Sequence, residues 1–390
     1  MSETRTPEPP APSPDLPDAP DNPELAQRGG PQPPGGVLGA LVRQQSLVVP
    51  LIALVAAFAI GAVIIRIQGV APLFAYQTLF KSALGTHDGL LLSLQNTTPL
   101  ILAGLAVAIP LRVGLFNIGG QGQVTIGGLA AAIMGFKGAA LPAVILIPAS
   151  LLFGIVAGAA WASIAGLLKT TRGVHEVIAT IMLNSIADQL IDYLVNNPFN
   201  APGNQGTAHT PEVATQGQLP NLSVVPTGFV IAVVLALAGS WMLRRTTLGF
   251  KFDTVGANRD AARYAGVNIN RMVLLSMVFA GGLAGLAGSV QALGVIHRYE
   301  PGFGGSIGFD GITIALLARG NPLGTVPAAL LVGVLRAGAA TLQFNTGIQP
   351  EIVDMIMAIT LLFVSLPVLG KLIFRRYAAS DTGMSTSWGS

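Results

Sequence analysis

The sequence contains no cysteine and few charged residues. Without thiols the chain can form neither a disulfide nor a thiolate metal site. Charged residues make up 10% of the 390 positions and apolar residues 51%, whereas about 25% of a typical soluble domain is charged. We therefore expect an integral membrane protein. Its net charge of +3 follows the topology described below, so we expect no nucleic-acid partner.

Motifs for nucleotide hydrolysis and for metal binding are missing from the sequence. It has no Gly-x-x-x-x-Gly-Lys-Ser/Thr phosphate-binding loop and no His-Glu-x-x-His motif. The histidines show no metal-ligand spacing; they are His87, His175, His209 and His297. We expect that the chain is not an enzyme, has no ATPase site of its own and needs neither a metal nor a cofactor.

The N-terminal residues 1–44 differ from the remainder because they are rich in proline, with Asp and Glu between the prolines. Such a stretch cannot bury enough apolar surface to offset its conformational entropy. It also lacks the apolar stretch and cleavage site of a signal peptide. The sequence therefore predicts a disordered cytoplasmic tail over residues 1–44, a membrane domain over 45–372 and a cytoplasmic C-terminal tail over 373–390.

Apolar stretches predict an all-α, polytopic membrane domain, since a spanning helix needs about 20 apolar residues. We expect about ten segments, of which the third and the eighth are short. They are Leu47–Ile65, Leu94–Leu111, Gln121–Gly135, Ala143–Leu168, Val177–Leu194, Pro226–Leu243, Val273–Leu293, Gly308–Leu317, Gly324–Leu342 and Ile352–Leu369.

The distribution of basic residues orients these segments. Lys and Arg are dense between Arg244 and Arg271, whereas the long stretch Val195–Thr227 contains none. Cytoplasmic loops carry an excess of Lys and Arg. Both termini are therefore expected in the cytoplasm, with an even number of crossings between them. The short eighth segment could instead be re-entrant.

Polar, glycine-rich backbone interrupts the apolar pattern at two places. Gly114–Gln123 separates two apolar runs that are each too short to cross a bilayer, and Gly302–Gly311 adjoins the eighth segment. Such backbone is tolerated in a membrane only where protein buries it or where it lines a watery pathway. Paired interruptions in the two halves of a chain indicate a transport site and an internal repeat.

Two other patterns predict helix packing and partner docking. The glycines of the seventh segment predict close helix packing; they are Gly281, Gly282, Gly285 and Gly288. In the basic loop, Asn258 can cap a short alanine-rich helix that Gly266 ends. The positive-inside rule explains the basic residues of this loop but does not require a capped helix with small residues on one side. Such a helix suits docking into a groove of a partner.

The chain resembles the membrane permease subunit of a bacterial ABC importer, in the family that handles branched-chain amino acids, simple sugars and nucleosides. The resemblance is carried by Gly114–Gly119, Glu176–Asn184, Gly256–Gly266, Gly308–Ile312 and Asn321–Gly324. The second of these stretches is most similar to the nucleoside permeases of the family. The resemblance therefore implies an import path for nucleosides in a bacterial cell membrane.

The same resemblance implies partners. A second permease subunit would enclose the path, ABC ATPase subunits would dock on the cytoplasmic face, and an extracytoplasmic substrate-binding protein would deliver the small-molecule solute. The short helix of the basic loop would couple the permease to the ATPase. The residues of this coupling element would be Gly256, Ala257, Asn258, Ala261, Ala262, Tyr264 and Gly266.

Uncharged polar residues near the first interruption are candidates for lining the path. They are Phe116, Asn117, Gln121, Gln123 and Asn184. Neutral amides and one aromatic ring suit an uncharged, hydrogen-bonding, ring-bearing solute, although Asn117 and Gln121 could equally satisfy the interrupted backbone. The alternatives are sugar or branched-chain amino acid import and, less favoured, proton-coupled transport, because acidic residues such as Asp354 are scarce in the segments and Asp354 could pair with Arg336.

Overall fold

The structure is a computed structural model, and it describes residues 45–203, 206–300 and 302–365. The predicted tails, residues 1–44 and 373–390, lie outside the described residues. So does the end of the predicted tenth segment after Ser365.

The described residues form helices and one two-stranded ribbon. The helices are α1 Gln45–Ile67, α2 Pro72–Leu84, α3 His87–Arg112, α4 Gly120–Lys137, α5 Ala143–Arg172, α6 Glu176–Asn196, α7 Thr227–Arg245, α8 Thr247–Ala257, α9 Arg259–Tyr264, α10 Ile269–Gln291, α11 Ile307–Leu317, α12 Thr325–Thr346 and α13 Glu351–Ser365. A π-helical turn, Ala292–Ile296, extends α10. The strands β1 Asn221–Leu222 and β2 Val225–Pro226 pair antiparallel.

The predicted membrane segments are helical, but not all of them are long enough to span a membrane. All ten predicted segments coincide with helices, which confirms an all-α membrane protein. Among the described residues, six helices are long and apolar enough to span: α3, α5, α6, α7, α10 with its extension, and α12 with the turn before it. The pair α1 and α2, bent by 114°, would make a seventh. A count of ten crossings is therefore not confirmed.

Helix α2 was missed by the sequence analysis, which assigned no element to residues 72–84. At 13 residues it is too short to span, and Gln77 and Lys81 interrupt its apolar pattern. Tertiary contacts hold it in place: the Tyr76 hydroxyl donates to the carbonyl of Phe58 in α1 at 2.7 Å. The backbone of Leu79 also lies so close to Gly338 of α12 that a Cβ there would collide with it.

The centre of the bundle is built on glycine contacts between α5, α4 and α10. A Cβ atom at Gly281 or Gly285 would collide with the backbone of α5, and one at Gly288 would collide with the carbonyl of Val124 in α4. This confirms that the glycines of the seventh segment serve close helix packing. The tight packing fixes α4, and with it the first interruption of the apolar pattern, against α10.

Candidate functional site

The first interruption is a stretch without helix, residues 113–119, that joins α3 to α4 and is called the first break here. Gly114 has φ +74°, a left-handed conformation that favours glycine. Asn117 is fully buried, and its amide pairs with that of Gln123 through two hydrogen bonds of 3.0 and 3.1 Å. The Asn117 Oδ1 atom also accepts from the backbone N–H of Gly119 at 3.1 Å. Phe116 lies half-buried in the same break.

Asn184 of α6 supports the first break from the neighbouring helix. Its Oδ1 atom accepts from the backbone N–H of Gly122 at 2.9 Å, and its Nδ2 atom donates to the carbonyl of Ile118 at 3.0 Å. The first turn of a helix has N–H groups without partners inside the helix. Asn184 therefore caps α4 from outside and at the same time satisfies a carbonyl of the break.

The second interruption, predicted at Gly302–Gly311, overlaps a stretch without α-helix at residues 297–300 and 302–306. This stretch leads from the extension of α10 to α11 and is called the second break. Gln121 connects it to the first. Its Oε1 atom accepts from the N–H of Gly308 in the first turn of α11 at 2.9 Å, and its Nε2 atom donates to the carbonyl of Gly305 at 2.8 Å. A Cβ atom at Gly308 would collide with the backbone of Gln121. The first turns of α4 and α11 are therefore in direct contact.

The predicted path residues thus gather at one place. The four amides of Asn117, Gln121, Gln123 and Asn184 are buried, and each uses both of its polar atoms on the breaks or on another member of the set. Helix N-termini carry partial positive charge, so two such ends meet here. The arrangement holds the two interrupted segments against each other inside an apolar bundle.

An ion cluster stands beside the second break. Arg336 of α12 lies 2.6 Å from the carboxylate of Asp310 and 3.6 Å from that of Asp354, and it donates to the hydroxyl of Ser306 at 2.9 Å. The expected pair of Arg336 and Asp354 is therefore present. Its closer partner, Asp310 on α11, was not considered in the sequence analysis. This contact could not be predicted from the sequence, because it depends on the packing of α11 next to α12.

The short capped helix predicted in the basic loop is present as α9, and its coupling role stays a prediction. Asn258 caps it, with the Oδ1 atom accepting from the N–H of Ala261 at 3.0 Å, and Gly266 after its end has φ +75°. Tyr264 is 93% exposed, and Ala257 and Ala261 are exposed as well.

Ala262 requires a correction. It is fully buried and packs in a cluster with Phe252, Val255 and Met272 of the chain's own core. It therefore anchors α9 rather than offering a surface to a partner. The sequence pattern did not separate Ala261 from Ala262, because both are small and only the direction in which α9 is laid on the core distinguishes them.

Helix α8 connects the exposed side of α9 to the first break. A Cβ atom at Gly256 would collide with the carbonyl of Arg112, the last residue of α3. The Arg112 guanidinium also lies 3.3 Å from the carboxylate of Asp253 in α8. Because the first break begins directly after Arg112, a displacement of α8 would act on the break without an intervening element.

Comparison with known proteins identifies the family to which the chain belongs. The family described as branched-chain amino acid transport system / permease component matches residues 89–365. The chain belongs to this family. This confirms the resemblance recognised from the motifs, and the chain is a multi-pass membrane permease of the ABC transporter type.

Individual relatives of this permease match over nearly their whole length. The guanosine ABC transporter permease protein NupP of Bacillus subtilis is 36% identical over 342 residues, which cover 85% of this chain and 97% of NupP. The nucleoside ABC transporter permease protein NupB of Lactococcus lactis is 34% identical, covering 88% and 97%. A glucose ABC transporter permease protein of Haloferax volcanii is 33% identical, covering 84% and 88%.

Proposed function

We propose that this permease forms the translocation path of an ATP-driven importer for nucleosides in a bacterial cell membrane. The observation that carries the proposal is the similarity, over 97% of their lengths, to permeases named for guanosine and for nucleosides. The site agrees in chemistry, because neutral amides make the hydrogen bonds through which the breaks meet, and the nearby charges of Arg336 and Asp310 are paired with each other. An uncharged, hydrogen-bonding solute suits such surroundings.

The proposed orientation places α8 and α9 in the cytoplasm. Their loop carries the dense set of Lys and Arg, and the stretch Val195–Thr227 at the opposite end carries none. By the positive-inside rule, both termini are then cytoplasmic, and the ten helical segments would form the membrane domain of residues 45–372.

The proposed energy source is a pair of ABC ATPase subunits that dock on the exposed side of α9. The contact surface would consist of Gly256, Ala257, Asn258, Ala261, Tyr264 and Gly266, with Ala262 anchoring the helix from beneath. Closure of the ATPase pair would push α8 against the end of α3 and so displace the first break. This is alternating access driven by rigid-body motion of packed elements.

In the proposed path, Phe116, Asn117, Gln121, Gln123 and Asn184 shape the walls where the two breaks meet. The amides keep interrupted backbone satisfied in an apolar bundle, where an unpaired amide is costly. A second permease subunit would close the other side of the path. An extracytoplasmic substrate-binding protein would deliver the solute at the end opposite α8 and α9.

A second candidate solute class within the family is simple sugars, which the glucose permease relative favours, and branched-chain amino acids follow from the family description. Proton-coupled transport is less well supported. In the described part of the chain, the buried Glu176 lies 2.6 Å from Lys169, and the half-buried Asp310 lies 2.6 Å from Arg336, so both acids are ion-paired.

Solute competition tests the proposal. The permease is expressed with its ATPase, second permease and binding protein in a host that lacks nucleoside uptake, and accumulation of radiolabelled guanosine is measured. We expect excess unlabelled nucleosides to suppress accumulation, and excess glucose or leucine to leave it unchanged. Accumulation of labelled glucose or leucine without any of guanosine would overturn the nucleoside assignment.

A further inference from the structure

A cavity of about 240 Å³ lies beside the second break. Its α3 residues, Asn96 and Pro99, lie in the half of α3 away from Arg112, the residue that contacts α8. Its walls come from five elements: α3, the end of α10 with its extension, the second break, the start of α11, and α12. The residues that line it are Asn96, Pro99, Gln291, Ile296, Gly302, Gly304, Gly305, Ile307 and Arg336. Pockets for drug-sized ligands hold roughly 300–1,000 Å³, so this cavity is of a size for a smaller, ring-sized solute.

Two side-chain amides in the cavity have hydrogen-bonding atoms to spare. Gln291, near the end of α10, is half-buried, and its amide makes no hydrogen bond to any residue that the structure describes. Asn96 donates through Nδ2 to the carbonyl of Leu92 at 2.9 Å, which leaves its Oδ1 atom available. Both side chains are only partly buried, so water reaches these atoms. A solute that enters the cavity can replace that water and accept or donate the same hydrogen bonds.

The cationic residue of the cavity is ion-paired. Arg336 is the cationic residue among the lining residues, and the carboxylates of Asp310 and Asp354 face it at 2.6 and 3.6 Å. An anionic solute would have to compete with both acids for the same guanidinium. The cavity is therefore unsuited to an anionic solute, and its two amides favour an uncharged, hydrogen-bonding one.

The backbone of the second break gives the cavity a wall without side chains. Gly302, Gly304 and Gly305 all have positive φ, at +80°, +72° and +48°, which other residues rarely adopt. The carbonyl of Gly305 is held by Gln121 at 2.8 Å. The wall of the cavity is thus fixed to the point where the two breaks meet, so that a solute in the cavity lies next to the proposed path.

We propose that this cavity is a binding site of the permease for an uncharged, hydroxyl-bearing ring solute of the nucleoside or sugar class. Gln291 and Asn96 are its hydrogen-bonding side chains, and the guanidinium of Arg336 is engaged by its two acids. The proposal rests on the proposed import function and adds to it the place at which the solute is held before it passes the breaks.

Uptake by leucine variants tests the two amides. Gln291→Leu and Asn96→Leu remove the hydrogen-bonding groups with little change in volume. Gln95→Leu is the matched control, because Gln95 neighbours Asn96 on α3 but lines a separate, small crevice. With the binding protein saturated by guanosine, we expect the maximal rate per inserted molecule to fall about three- to tenfold in the first two variants, as the loss of one hydrogen bond predicts. Rates equal to that of Gln95→Leu would overturn the proposal.

Cysteine labelling gives a readout that does not depend on transport. The chain has no cysteine, so Gln291→Cys and Gln95→Cys each give this subunit a single thiol, whose modification is followed on the isolated subunit after labelling of the complete importer. We expect an impermeant thiosulfonate reagent, added from outside, to modify both, and saturating guanosine to slow the modification of Gln291→Cys alone. Equal rates with and without guanosine at both positions would contradict a solute in the cavity.

Failure of the proposed function is distinguishable from failure of the cavity. If the wild-type importer accumulates a sugar and no nucleoside, the nucleoside assignment fails, and the same comparisons made with that sugar still test the cavity. If the wild type accumulates guanosine but Gln291→Leu and Asn96→Leu behave as the control, the cavity proposal alone fails.

Discussion

The Oε1 atom of Gln121 accepts a hydrogen bond from the backbone N–H of Gly308 at 2.9 Å, although the two residues are 187 positions apart in the chain. Through this bond the first turn of α4 and the first turn of α11 share one side chain. Neither break can move away from the other without leaving a polar group unpaired inside an apolar bundle, where it is costly. The two interrupted segments therefore form one structural unit.

The support that Asn184 gives to the first break predicts an effect on folding. Asn184→Leu leaves the N–H of Gly122 and the carbonyl of Ile118 without their partner, and each unpaired buried group costs about 1–3 kcal/mol. We expect less folded permease in the membrane and a lower melting temperature of the purified protein. Sequence reasoning favoured Asn184 as a path residue, and that interpretation predicts normal folding with slow transport. Normal amounts of a protein with wild-type melting would contradict the structural role.

The two neighbouring alanines of α9 predict opposite outcomes for the same substitution. Ala261 is exposed, so Ala261→Trp should leave the permease folded but prevent the fit of a partner, and ATP hydrolysis should be uncoupled from uptake. Ala262 is fully buried, so Ala262→Trp should overpack the core and reduce the amount of folded protein. The measurements are protein per membrane, ATPase activity and uptake. Wild-type uptake by Ala261→Trp would remove the exposed side of α9 from the coupling.

The orientation of the bundle can be checked because the chain lacks cysteine. In intact cells, a single thiol introduced by Thr207→Cys should react with an impermeant maleimide, since Thr207 is exposed in the loop without Lys or Arg. One introduced by Ala257→Cys, which is exposed at the end of α8, should react only after the cells are opened. Reaction at Ala257→Cys in intact cells, with none at Thr207→Cys, would invert the proposed topology.

Local features of this permease could be predicted from its sequence, whereas contacts between distant residues could not. Asn258 and Gly266 mark the ends of α9 because a cap and a left-handed glycine act within a few residues. Gly281 and Gly285 identify a packing face because small residues at helical spacing permit close approach. Helix α2 was missed because its stability comes from α1 and α12 rather than from its own pattern.

In the candidate site, too, local features could be predicted from the sequence and long-range contacts could not. The two breaks could be predicted from polar residues between apolar runs, but not that Gln121 joins them, since nothing local links positions 121 and 305. Arg336 and Asp354 were expected to pair, yet Asp310 is the closer acid. That contact depends on where α11 lies among the other helices, which no pattern within α11 specifies.

The central claim is that this permease imports nucleosides with energy from ATP hydrolysed by its partners. It is tested most directly in proteoliposomes that hold the complete importer, with binding protein and radiolabelled guanosine outside and no pH difference across the membrane. We predict that guanosine accumulates when the vesicles enclose ATP and magnesium, and that a non-hydrolysable ATP analogue abolishes the accumulation. Accumulation driven by a pH gradient in the absence of ATP would contradict the account.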